Sequence, residues 1–86
     1  MTNRVTLERI LGKIKNETYT KLPSGKVLVC ELMLENGFSV RGEAAVVDPA
    51  NYNEEIGRKI SRENAVDQMW QLEGYLLQEE LYKGSK

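Results

Sequence analysis

Arg58 and Arg62 stand four residues apart, a spacing that places two guanidinium groups one helical turn from each other on the same side of a helix. Like charges so placed repel, by about 0.2–0.5 kcal/mol when exposed, so something anionic should sit between them. A guanidinium carries paired planar donors that match phosphate oxygens bidentately, and it stays charged at any working pH. Two arginines aimed at one spot therefore suit a phosphate. Tyr52 and Phe38 offer rings that could stack on a base, Asn51 and Asn53 offer amides for its polar edge, and Arg41 is a further cation. The bland alternative is as strong on these residues alone: Arg58 and Arg62 pair with Glu54, Glu55 or Glu63, or with acids of a neighbouring subunit. Catalysis is not suggested, because the sequence has no histidine, and with it goes the commonest general base and metal ligand. No catalytic residue, metal site or cofactor is expected.

The element that must carry these arginines begins after Asp48-Pro49. Proline cannot continue a ladder, so a sheet should end near it. Asn51 or Asn53 can cap a helix, Glu54 and Glu55 suit its positive end, and no proline follows before Leu81. About 28 helical residues span roughly 42 Å. A domain of about 100 residues has a radius of gyration near 13 Å, so this helix should overhang its own domain and require a second chain to cover it. On a helical wheel Ile56, Ile60, Val66, Trp70 and Leu77 form one wide apolar face, and Ala65, Met69, Leu72 and Leu76 a second, with both arginines in line with the second. Trp70 reads as a packing anchor. Gly57 suggests a close approach near the helix start, and Gly74 a helix crossing or a kink.

The preceding half supplies a platform. Leu7, Ile10, Leu11 and Ile14 recur at helical spacing behind Thr6, a capping residue, and predict a short helix. Strands are expected at 18–22, 27–35 and 38–47, with a turn at 23–26. Asn36-Gly37 predicts a two-residue type I′ hairpin. That register sets Met33 against Val40, Val29 against Ala44 and Val27 against Val46 on the expected core face. It leaves Leu32 with Arg41 and Cys30 with Glu43 on the other, where the two charges form a solvated rim or line a pocket. The second strand, apolar on both sides, should be central. The fold class is α+β: a short N-terminal helix, a three-stranded antiparallel meander and a long C-terminal helix, in an oligomer.

One domain, 1–86, is expected from 86 residues. So short a chain buries only about 60% of the surface its unfolded form exposes, and oligomerisation is one remedy. Disulfides are not, since Cys30 is the sole cysteine and reads as a small buried apolar side chain. The first residues lack the apolar stretch of a signal peptide, and no run approaches a membrane span. A net charge of −1 argues against double-stranded DNA as a partner. Residues 83–86 are expected to fray.

One ordered set of residues resembles a known family: Asn36-Gly37-Phe38, Gly42-Glu43, Asp48-Pro49-Ala50-Asn51-Tyr52, Glu54-Glu55-Ile56-Gly57-Arg58-Lys59-Ile60, Arg62-Glu63-Asn64-Ala65, Trp70 and Leu72-Glu73-Gly74-Tyr75-Leu76-Leu77. It is similar to the type one Thoeris anti-defence family of small phage proteins. The resemblance covers residues 36–77. It implies a sponge that acts in the host bacterial cytoplasm during infection and sequesters cyclic nucleotide-type immune signals without degrading them. Those signals are glycocyclic ADP-ribose of Thoeris and, for some members, the cyclic di- or trinucleotides of CBASS. It further implies dimers and hexamers (trimers of dimers) with ligand between subunits. The family's two helix arginines match Arg58 and Arg62. Its aromatic corresponds to Phe38 or Tyr52 and its asparagine to Asn51 or Asn53, with Arg41 a further candidate. The rival reading is a structural or regulatory phage oligomer whose arginines only hold subunits together.

Overall fold

The computed structural model describes residues 4–84, apart from the Pro49 side chain. A short helix, α1 (Leu7–Gly12), leads into three strands, β1 (Ile14–Lys21), β2 (Val27–Leu34) and β3 (Ser39–Ala45). A 3₁₀ turn at Pro49–Asn51 then precedes α2 (Glu54–Gly84). The strands form one antiparallel sheet in the order β1-β2-β3, so the predicted meander and α+β class are observed.

Both helix starts follow from their caps. The Thr6 hydroxyl accepts from the Arg9 amide at 3.2 Å. Of the two candidate caps for α2 it is Asn53 that serves, its side-chain oxygen accepting from the Ile56 amide at 3.1 Å. Asp48 instead closes the turn before it, accepting from the Ala50 amide at 3.0 Å. α2 holds 31 residues and continues through Lys83 and Gly84, which were expected to fray; Ser85 and Lys86 lie outside the described residues. β1 begins at Ile14, earlier than the predicted residue 18, and its pairing shifts between Ile14 and Asn16, where Lys15 forms a bulge.

The hairpin corrects the predicted register by one residue. Of Asn36 and Gly37, it is Gly37 that takes a positive φ, of 91°, while Asn36 uses its side chain to accept from the Phe38 amide at 2.9 Å. The Leu34 amide donates to the Phe38 carbonyl at 2.8 Å, so the loop has three residues rather than two. Leu32 therefore faces Val40, Cys30 faces Gly42 and Leu28 faces Ala44. A one-residue slip exchanges the faces of a strand. The core face of β2 is thus Leu28, Cys30, Leu32 and Leu34, and the predicted core set of Val27, Val29 and Met33 points the other way, beside Glu31.

α2 lies on that core face with Gly57, Ser61, Ala65, Val66, Met69 and Glu73 buried. The face centres on small residues one turn apart, so the helix approaches the sheet closely. At Gly42 a Cβ would overlap the Ala65 amide nitrogen and the Ser61 carbonyl oxygen. Gly57 meets Leu28, as expected of a close approach, whereas Gly74 faces open space. Ile10 of α1 completes the core. Of the predicted wide apolar face only Val66 is buried: Ile56, Ile60 and Trp70 remain 55, 42 and 39% exposed. The molecule measures 56 × 21 × 18 Å, elongated as the helix length requires. Among the described residues no helix is long and apolar enough to cross a membrane.

Candidate functional site

Three side chains of β1 meet, in order, Tyr52 just before α2 and then Arg58 and Arg62 within it. Lys21 places its ammonium 4.3 Å from the centre of the Tyr52 ring. Tyr19 lies under the Arg58 guanidinium, 4.6 Å from ring centre to Cζ. Glu17 accepts from Arg62 Nε at 3.0 Å through Oε2, and from the Tyr19 hydroxyl at 3.2 Å through Oε1. The order is forced by geometry. Glu17, Tyr19 and Lys21 alternate along one face of a strand, while 58 and 62 are one turn apart on the helix that crosses it. The result is a row of three cations and two rings, with one carboxylate at its end.

The two arginines do emerge together, each already paired within the chain. Arg58 Nε lies 3.6 Å from Glu54 Oε2, a long contact between side chains that are 52% and 62% exposed. The Arg62–Glu17 pair is 40% and 39% exposed. Exposed pairs of this kind contribute about 0–1 kcal/mol, so both guanidinium groups remain available to a stronger anion. Arg62 also borders a hollow of about 340 Å³ beneath α1, with Leu7, Leu11, Glu63 and Val66.

The other predicted site residues lie elsewhere. Asn51, Tyr52 and Asn53 line a hollow of about 120 Å³ at the start of α2, with Lys26, Ala44 to Val46, Ile56 and Ile60. The Tyr52 hydroxyl is buried with no hydrogen-bond partner among the described residues. Tyr52 joins the two places, since its ring also carries Lys21. Phe38 and Arg41 line a third hollow of about 330 Å³, with Gln68 and Leu72 on the far part of the helix. Arg41 stands opposite Glu31 on the outer sheet face. Within one chain, then, Phe38 and Arg41 do not join Arg58 and Arg62.

Glu17, Tyr19 and Lys21 were not singled out from the sequence. Their period-two spacing was the available signal: a strand that sends an acid, a ring and a cation to the face where a helix must pack. Tyr19 is held in an unusual setting. Burial first, then the neighbouring Cys30 and Glu17, push its hydroxyl pKa up to about 12. Burial likewise raises the pKa of Cys30, which is wholly enclosed, as a small apolar side chain would be. Among the described residues no group of three histidine, cysteine, aspartate or glutamate side chains could hold a metal ion.

A profile of the Phage protein (N4 Gp49/phage Sf6 gene 66) family matches residues 5–81, nearly the whole chain. The chain belongs to that family. No curated protein and no solved structure gives a significant match. As a phage family protein it carries its cation row within the matched region, on β1 and the first turns of α2.

Proposed function

We propose that this phage protein is an anti-defence sponge. It binds a phosphorylated cyclic nucleotide-type immune signal and withholds it intact from the bacterial effector that the signal would activate. The resemblance over residues 36–77 points to glycocyclic ADP-ribose of Thoeris, or to cyclic di- or trinucleotides of CBASS. It also points to a homo-oligomer, acting in the host cytoplasm during infection. The observation that carries this reading is the row of Lys21, Arg58 and Arg62 beside the Tyr19 and Tyr52 rings. Arginines supply bidentate phosphate contacts, and rings give a base a face to stack on. Retention needs affinity alone, which cations and ring faces supply.

The ion pairs to Glu54 and Glu17 favour the rival, a structural or regulatory phage oligomer whose arginines serve only as ties. Calorimetry separates the two. The protein is titrated with cyclic ADP-ribose isomers and cyclic oligonucleotides, and the ligand is recovered afterwards by heating. The sponge reading expects tight binding to at least one of them and recovery of unchanged ligand. Arg58→Ala and Arg62→Ala should each weaken binding at least tenfold, while the melting temperature and assembly mass stay as in the wild type. A panel that fails to bind, or a degraded ligand, overturns the sponge. Loss of assembly without loss of binding supports the rival.

A further inference from the structure

The sheet has two edges, and only one can accept another strand. On β3 the even-numbered residues bond β2, because the Leu34 amide donates to Phe38 and the Val46 amide to Lys26. The odd-numbered residues turn outward. One of those outward carbonyls, at Glu43, is already taken by Asn64 Nδ2 of α2 at 2.7 Å. The α2 backbone also rests on Gly42 of this strand. A second β3 alongside would bring a second α2 within roughly 5 Å of the first, whereas packed helices need about 8–10 Å. The β3 edge is closed by its own helix.

The β1 edge is open. The Leu22 amide donates to Val27 at 2.9 Å, so the even-numbered residues of β1 bond β2 and Glu17, Tyr19 and Lys21 turn their amides and carbonyls outward. Among the described residues the Glu17 amide holds a local bond, to Asn16 Oδ1 at 2.9 Å. Beyond Asn16 the Lys15 bulge ends the straight edge. The stretch Glu17-Thr18-Tyr19-Thr20-Lys21 is self-complementary when reversed: Glu17 falls opposite Lys21, Thr18 opposite Thr20, and Tyr19 opposite itself. The residues so matched in charge are those whose backbone groups face outward. Opposite charges across strands contribute about 0.2–1 kcal/mol per pair relative to alanine, and the match occurs twice.

We propose that two copies of this chain pair antiparallel through β1, with the two-fold axis at Tyr19, into one six-stranded sheet. The two copies of β3 then lie five strand spacings apart, roughly 24 Å. Each carries its α2 on the same face of the sheet, so helices about 10 Å thick leave a groove roughly 14 Å wide. Its floor is the joined β1 strands. Its walls carry Arg58 and Arg62 from both copies over two Tyr19 rings. The pairing stands on the edge alone. Its consequence, that the phosphate site of the sponge is completed by the partner's arginines, rests on the function proposed above.

The test uses the full chain without ligand, so it succeeds or fails independently of the sponge. Thr18→Cys and Thr20→Cys are made as separate proteins; Cys30 is buried and does not compete. Mixed and oxidised, they should form a disulfide-linked heterodimer in at least fivefold excess over the homodimer of either alone, since only position 18 faces position 20. Sedimentation should give a dimer for the wild type. Glu17→Lys and Lys21→Glu should each weaken association at least tenfold, and the combined swap should restore it to within about threefold. A wild type that stays monomeric at 100 μM (on the order of the weakest useful self-association) overturns the proposal. A dimer that cross-links no better in the mixture, or that ignores both charge reversals, places the interface elsewhere and overturns it too.

Discussion

α2 meets the sheet along two seams built on opposite plans. Against β3 the helix presents Ser61 and Ala65, and the strand presents Gly42; backbone rests on backbone and no space remains. Against β1 the helix presents Arg58 and Arg62, and the strand replies with Tyr19 and Glu17 through long side chains that stay partly in water. Small residues bring two elements into dispersion contact, which is strong in sum and admits nothing else. Long charged residues span a gap, with contacts that a better partner can replace. One helix thus holds the fold on one side and keeps exchangeable cations on the other, and the two duties do not compete for residues.

The β3 seam should be the more fragile of the two. Overpacking a filled core costs about 1–3 kcal/mol and occasionally more, and at Gly42 the obstruction is helix backbone, which cannot rotate aside. Gly42→Val is expected to remove at least ~3 kcal/mol, on the order of the whole margin of a domain this small, and Gly42→Ala somewhat less. Thermal melts of both, beside Arg58→Ala with a change within ~0.5 kcal/mol, measure the contrast. A Gly42→Val protein as stable as the wild type would show that the seam is loose.

Glu73 sharpens the comparison, because it is a charged contact on the buried side. Its carboxylate is 7% exposed and accepts from Lys13 Nζ at 2.7 and 2.9 Å and from Arg9 Nε at 3.0 Å, fixing α1 to α2. Removing one member of a buried pair costs about 3–5 kcal/mol, but Arg9 and Lys13 are 29% and 28% exposed and can turn to water. Glu73→Ala should therefore cost about 2 kcal/mol and loosen α1 selectively, read as faster amide exchange over residues 9–13. Uniform exchange across the whole chain would assign Glu73 no special hold on α1.

Much of this was legible in the residues. Thr6 and Asn53 announce their helices, the meander follows from three β-rich runs broken by Gly25 and Gly37, and the helix length follows from the absence of proline. The register was not, because Asn-Gly allows two loops, and the choice turned on whether Asn36 took a positive φ or used its side chain on the Phe38 amide. That one residue decided which face of β2 became the core. Of the two apolar sets expected on α2, the second supplied the buried Ala65 and Met69, and the wide one supplied only Val66. Hydrophobic periodicity weights bulk, and here the deepest contacts belong to glycine, serine and alanine. Arg58 and Arg62 were found by spacing, but Tyr19 and Glu17, which meet them, come from 45 residues or fewer up the chain and could be matched to them only by a known register.

On the open seam, Glu17→Gln should act oppositely on folding and on binding. It keeps the shape and releases Arg62 from its carboxylate. An exposed pair contributes at most about 1 kcal/mol, so the loss of stability should be no larger, and the freed guanidinium should bind inorganic phosphate up to roughly fivefold more tightly. Titration of phosphate against both proteins, followed by chemical shift or heat, checks this. Weaker phosphate binding in Glu17→Gln, with the assembly mass unchanged, would mean that the carboxylate positions Arg62 rather than occupying it.

The smallest effect concerns Tyr19, where the two seams touch through Cys30. An unfolded tyrosine ionises near pH 10, while the folded Tyr19 hydroxyl holds its proton to about 12. Between those values the unfolded chain carries fewer protons than the folded one, so stability must fall as pH rises. It is complete below pH 10 and has drained away by about 12. Tyr19→Phe removes this proton and should lie slightly below the wild type at pH 8, for want of the bond to Glu17, yet lose less between pH 10 and 12. Cys30 still contributes a fall of the same sign, since its raised pKa also favours the protonated folded state. The informative quantity is thus the difference between the two proteins' melting temperatures, which should narrow or reverse with rising pH. A constant difference from pH 8 to pH 11.5 would mean that the Tyr19 hydroxyl meets water as freely folded as unfolded, and that the β1 seam is wetter at its centre than the contrast with β3 requires.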